Sequence, residues 1–140
     1  MSKVVSIRLK DNQFGRLQRI ARRTGHTPST TAARLIEEAL RKEEFPLIEF
    51  RVNGLEGRVA YLQGTRFKVW LTVWLFRSAN TDVKTMAELW GIREMDLREV
   101  LRYAAAYPEE VEPAIEEAEA WDEKASRGEI PGLRVIDIRS

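Results

Sequence analysis

The stretch Val4-Val5-Ser6-Ile7-Arg8-Leu9-Lys10 reads as a short β-strand, with Val5, Ile7 and Leu9 on one face and Val4, Ser6, Arg8 and Lys10 on the other. So short a strand leaves its backbone polar groups unpaired and carries too little apolar surface to stand alone. The segments that follow are helical and offer no strand, so the natural partner is the same strand of a second chain. Pairing two copies turns Val5, Ile7 and Leu9 toward the helices and the other face outward. A two-stranded ribbon that displays small, polar and basic side chains suits the major groove of DNA.

The next residues predict two amphipathic helices. Asp11 or Asn12 can cap the first, and Phe14, Leu17, Ile20 and Ala21 make one apolar stripe at helical spacing. Gly25 supplies a left-handed stop. Thr27 is a suitable N-cap for the second helix, with Pro28 at its first position, and Ala32, Leu35, Ile36, Ala39 and Leu40 form its expected buried face.

Over roughly residues 3–45 this pattern resembles the ribbon-helix-helix family of dimeric DNA-binding proteins. The likeness is carried by Ser6-Ile7-Arg8-Leu9, Phe14, Leu17, Ile20-Ala21, Thr24-Gly25, Ser29 and Leu35-Ile36. It implies that Val4, Ser6 and Arg8 read base edges, with Lys10 on the same outward face. It also implies that Ser29 and Thr30, at the start of the second helix, clamp a phosphate on exposed backbone N–H groups. Val4 departs from a position that is often polar in the family; valine can touch a thymine methyl but reads less than a hydrogen-bonding side chain. Two simpler readings stand beside these: Arg8 as a solvated charge, and Ser29 and Thr30 as ordinary helix-start residues. His26, the only histidine, reads as a surface residue beside the turn.

The chain has 140 residues, enough for one domain or two small ones, and a net charge of +1. That balance conceals a gradient. Residues 1–34 hold Lys3, Arg8, Lys10, Arg16, Arg19, Arg22, Arg23 and Arg34 against one acid, Asp11, whereas residues 109–123 hold Glu109, Glu110, Glu112, Glu116, Glu117, Glu119, Asp122 and Glu123. A basic head and an acidic rear follow. The rear either binds a basic partner or serves solubility. With no cysteine, no signal-peptide pattern and no apolar run long enough to span a membrane, the expected location is the cytoplasm, with no membrane partner. A lone histidine without cysteine makes no metal site, and no cofactor is implied.

Phe45-Pro46 closes the second helix and a different module begins. Glu49-Phe50-Arg51-Val52 and Arg58-Val59-Ala60-Tyr61 read as a hairpin around Asn53-Gly54, and Gly64-Thr65-Arg66 as a second turn. Helices are expected at about 68–78, 82–90, 95–106 and 108–126. The expected fold class is mainly α with short β: a ribbon-helix-helix over 1–45 whose two-stranded ribbon is intermolecular, a helix-turn-helix-like domain with a small β-hairpin over 46–126, and a tail over 127–140.

Residues 57–110 are similar to the small helical domain, of unknown function, that accompanies toxin–antitoxin genes. Gly64-Thr65-Arg66 followed by Val69 is the best hallmark, supported by Trp70, Asp82-Val83, Met86, Leu89, Asp96-Leu97, Val100-Leu101 and Tyr103-Ala104-Ala105. Ala60, Phe67-Lys68 and Trp90-Gly91 depart from proline, isoleucine-proline and tyrosine-proline, which puts local turn geometry in doubt. A helix starting near Met95 invites a second DNA reader, but Asp96, Arg98, Glu99 and Arg102 mix signs and suit a solvated or protein-facing surface better. Arg66 is expected to be a buried arginine serving backbone carbonyls near its turn.

Trp70 and Trp74, four apart, read as core packing, and so does Trp90. Trp121, among acids, reads as an anchor for a partner. The tail ends in Leu133-Arg134-Val135-Ile136-Asp137-Ile138-Arg139-Ser140, which alternates enough for a strand that pairs within this protein or with a partner.

Together the two resemblances imply the antitoxin of a type II toxin–antitoxin pair, a homodimeric repressor of operator DNA and of its own transcription. The implied toxin is a PIN-like ribonuclease with a carboxylate-bound magnesium site that Arg134 or Arg139 would cover. The runner-up is a stand-alone repressor or partition protein with a sensing or oligomerising helical domain. No catalytic residue is expected, since the sequence offers no cysteine nucleophile, histidine pair, phosphate-binding glycine loop or clustered metal ligands.

Overall fold

The computed structural model describes residues 2–128, which form six α-helices and one two-stranded sheet. The chain divides into two compact units, Met1–Glu44 and Phe45–Ser140.

In the first unit, residues 2–10 form no strand within the single chain, contrary to the expectation for residues 4–10; both strands that do form lie after the first two helices. A ladder requires a second backbone, and this unit supplies none. Helix α1 (Asp11–Thr24) is capped one residue earlier than expected. Lys10 takes the extended cap conformation, and its backbone N–H donates to Gln13 Oε1 at 2.9 Å. Asp11 stands instead in the first turn, where its carboxylate favours the positive helix end. The helix stops at Gly25 (φ 72), with the His26 and Gly25 N–H groups donating to the Ala21 and Arg22 carbonyls at 3.0 and 3.3 Å.

Helix α2 (Pro28–Glu44) starts as the sequence predicts, Thr27 Oγ1 accepting the Thr30 N–H at 3.2 Å ahead of its first turn. Within this unit only Ala21 and Thr31 are buried among the described residues. The expected α2 core face is thus only partly closed: Ala32 and Leu35 are half-buried, while Ile36, Ala39 and Leu40 remain exposed. Two helices cover one stripe of each other and leave the rest for another layer.

The second unit opens with a hairpin. Strand β1 (Ile48–Asn53) pairs antiparallel with β2 (Gly57–Leu62), in register from Ile48 opposite Leu62 to Asn53 opposite Gly57. Its left-handed residue is Gly57 (φ 78) rather than Gly54. Asn53 acts through its side chain, Oδ1 accepting the Leu55 N–H at 3.0 Å. Helices α3 (Val69–Ala79), α4 (Val83–Trp90), α5 (Glu94–Ala106) and α6 (Pro108–Ser126) follow close to their expected spans. Their ends are set by polar side chains and glycine: Asp82 Oδ1 accepts the Thr85 N–H at 2.7 Å, Gly91 (φ 69) stops α4, and Asp96 Oδ2 accepts the Arg93 N–H at 2.9 Å.

The inner face of the sheet packs on α3, α5 and α6 through Ile48, Ala60, Leu62, Val69, Val73, Val100, Tyr103, Val111 and Ile115. Phe45 meets Tyr103 and Tyr107 edge-on, with ring centroids 5.3 and 5.9 Å apart. Tyr103 is fully buried and satisfies its hydroxyl by donating to Glu110 Oε2 at 2.7 Å. Helix α4 docks on α5 through a satellite cluster of Met86, Ala87 and Leu97.

The Gly64-Thr65-Arg66 turn is held from within by Thr65, whose Oγ1 donates to the Leu62 carbonyl at 2.8 Å and accepts the Phe67 N–H at 3.0 Å. Arg66 is exposed, a correction to its expected burial. The turn carbonyl is served instead by the half-buried Arg51 on β1, which lies 3.8 Å from the Tyr61 ring centre and donates to the Thr65 carbonyl oxygen. Position 66 lies on the outside of the turn, whereas the inward carbonyl at 65 faces the neighbouring strand.

Candidate nucleic-acid interface

In the first unit the alternation read from the sequence has a spatial counterpart. Val5, Ile7 and Leu9 line a trough of about 1020 Å³ together with Leu17, Ile20, Leu35 and Ile36. Val4, Ser6, Arg8 and Lys10 stay outside it and are exposed. The trough is incompletely filled, since Val5 is 80% and Ile7 64% exposed. Phe14, Ile36 and Leu40 add further uncovered apolar surface to the same small unit.

The polar candidates divide. Arg8 and Lys10 make no ion pair among the described residues, leaving their charges available. Ser29 and Thr30 both sit exposed in the first turn of α2, but the Thr30 hydroxyl is engaged by Thr27 Oγ1 at 3.0 Å. At this helix start Pro28 has no N–H and the Thr30 and Thr31 N–H groups already donate to Thr27, so Ser29 is the donor left to suit a phosphate. Arg16 borders the trough as well, although the sequence shows it only as one cation among many. His26 is exposed.

In the second unit, helix α5 offers less to a phosphate backbone. On α5, Arg98 pairs with Glu94 at 2.6 Å, Arg102 pairs with Glu99, and Arg93 at the cap binds Asp96 at 2.7 Å. The hydrogen bond from Arg93 outweighs the opposing effect of burial and holds the Asp96 carboxyl below its ordinary range. These cations are neutralised on their own helix, consistent with the mixed signs in the sequence. Trp121 is 58% exposed on α6 and lines a second trough with Trp70 and Trp74, which rest half-buried on the core. Trp70 and Trp74 therefore combine core packing with surface that lines the trough. Trp90 packs against the α4–α5 cluster. Arg134 and Arg139 lie outside the described residues. Among the described residues no histidine, cysteine and carboxylate group forms a metal cluster, and no helix is long and apolar enough to cross a membrane.

No protein-family profile matches the chain, and no curated protein or solved structure matches it.

Proposed function

We propose that the chain is a cytoplasmic, dimeric, DNA-binding antitoxin. Two copies of residues 4–10 pair as an antiparallel ribbon, which gives each segment the strand partner it lacks alone and covers the trough formed with α1 and α2. The observation that carries this reading is the division of one short segment: Val5, Ile7 and Leu9 line the apolar trough, while Val4, Ser6, Arg8 and Lys10 remain outside. The ribbon presents Ser6 and Arg8 to base edges in the major groove, Val4 to a thymine methyl, and Lys10 to the backbone. The start of α2, at Ser29 and Thr30, binds an adjoining phosphate.

The second unit and the residues after it hold the cognate toxin, a PIN-like ribonuclease, with Trp121 as an anchor and Arg134 or Arg139 toward its acidic site. Support for a protein partner comes from the exposed Trp121 and from the internal pairing of the α5 arginines, which leaves that helix poorly suited to DNA. Two measurements test the proposal. Binding of the full chain to DNA upstream of its own reading frame should exceed binding to unrelated DNA by about a thousandfold or more. Affinity capture after nuclease treatment should recover one small nuclease-like protein in near-stoichiometric amount. Equal affinity for all DNA refutes the first half; recovery of the protein alone transfers the reading to a stand-alone repressor.

A further inference from the structure

The trough on the second unit has a volume of about 460 Å³, within the range of cavities that hold ligands, about 300–1,000 Å³. Trp70 and Trp74 form one wall, their rings stacked with centroids 6.4 Å apart and planes inclined by 24°. Trp121 stands on α6, on the same face as three alanines that also line the trough. Small residues there keep the tryptophan faces accessible.

The charge around this aromatic wall is negative and unevenly committed. Glu56 is occupied: it pairs with Lys68 and accepts the Trp70 indole N–H at 3.0 Å, which fixes the Trp70 ring. Glu117 and Asp122 also line the trough, and neither has a basic partner among the described residues. Beyond the trough, Glu109, Glu116 and Glu119 extend the negative surface along α6, farther than a small amine would reach, while Glu123 is paired with Arg127 at 3.2 Å.

From this combination we infer that the tryptophan trough binds an arginine-bearing segment of a protein partner. A guanidinium is planar and weakly hydrated, so it stacks on an indole face while its N–H fork serves a carboxylate. The same mode is already used inside this fold, with the Arg102 guanidinium carbon 4.3 Å from the Phe45 ring centre. Glu117 or Asp122 supplies the carboxylate, and the outlying acids attract the flanking basic residues. The inference deepens the partner-holding half of the proposed function and rests on that half alone.

The test pans the full-length protein and its Trp121→Ala variant against a displayed library of random twelve-residue peptides at physiological salt. Trp121 is exposed, so the variant should keep its fold, which circular dichroism checks. Wild type should enrich arginine-containing peptides. By calorimetry, the best of these should bind Trp121→Ala about 5- to 30-fold more weakly and lose comparable affinity when its arginine is replaced by neutral citrulline. Enrichment of arginine-free peptides, equal binding by the variant, or no enrichment at all overturns the inference. Enrichment that appears only after residues 129–140 are removed overturns it in favour of the chain's own terminal segment, and self-association lost in Trp121→Ala overturns it in favour of a second copy. Positive peptide selection with no ribonuclease captured removes the antitoxin reading and leaves the trough; capture unaffected by Trp121→Ala, without peptide selection, does the reverse.

Discussion

Replacing Ile7 with serine separates the ribbon dimer from every account in which residues 4–10 act alone. In the single chain Ile7 is 64% exposed although it borders an apolar trough. Complete burial of an isoleucine side chain is worth about 1.5–3 kcal/mol, so the part still in water represents about 1–2 kcal/mol per chain. A two-fold dimer buries it twice, giving about 2–4 kcal/mol per dimer. Since each 1.4 kcal/mol is tenfold, Ile7→Ser should raise the dimer dissociation constant about 30- to 700-fold. Val4→Ser is the matched control: Val4 is 94% exposed and lies outside the trough, so its loss should change the constant less than about twofold. Sedimentation equilibrium of the full-length protein over a range of concentrations reads both. Equal effects of the two variants, or an unchanged constant in Ile7→Ser, would show that the alternating faces do not govern association and would refute the ribbon.

Three further outcomes are expected. Arg8→Ala should cost about 1–3 kcal/mol of affinity for specific DNA through a lost guanine contact; an equal loss on unrelated DNA, measured by fluorescence anisotropy, would make Arg8 a phosphate contact instead. Phe45→Ala should destabilise the second unit by about 3–5 kcal/mol in urea unfolding, because Phe45 is 3% exposed between Tyr103 and Tyr107; a loss below about 1 kcal/mol would place it outside the core. Arg77 grips Glu112 with two bonds of 3.0 and 2.6 Å, and chiefly this hydrogen bonding holds the Glu112 carboxyl below its ordinary range. That pair therefore adds stability above the unfolded glutamate pKa of about 4.3, and the contribution is lost as the pH falls through the lower folded value. Thermal melts should show Glu112→Gln less stable than wild type at neutral pH and the two converging in acid; a gap that widens in acid would contradict the assignment.

Helix spans were legible because residues with local mechanisms mark their ends. Thr27-Pro28, Gly25 and Pro108 each satisfy or terminate a backbone ladder without tertiary help, whereas the ends of α4 are set by Asp82 and Gly91, which the sequence reading did not single out as caps. Where several residues qualified, the choice depended on the turn actually made: Lys10 rather than Asp11 or Asn12 opens α1, since Gln13 reaches back to its N–H. Arginine roles were less readable. Arg66 carried the hallmark position, but Arg51, fifteen residues earlier, serves the turn, and only the strand register places it beside Thr65. The tryptophan trough was hidden for a similar reason. The four-residue spacing of Trp70 and Trp74 identifies a helix face, yet their meeting with Trp121 requires the packing of α3 on α6.

Under the proposed dimer, the uncovered surface of the first unit and the absent strand have a common physical origin. Periodicity states that Ile36 and Leu40 belong to an apolar stripe, and alternation states that residues 4–10 have two faces; neither states which chain completes them. Within one chain both remain open, with Ile36 48% and Leu40 55% exposed and no ladder over residues 4–10. In the proposed dimer one event closes both: pairing satisfies the strand backbones and buries Val5, Ile7 and Leu9, and thereby turns Ser6 and Arg8 outward from both chains. DNA binding is then linked to dimerisation by mass action, because only the dimer owns the reading surface. The net charge of +1 is no obstacle to that role, for the phosphate backbone responds to the local excess of cations in residues 1–34 and not to the chain total.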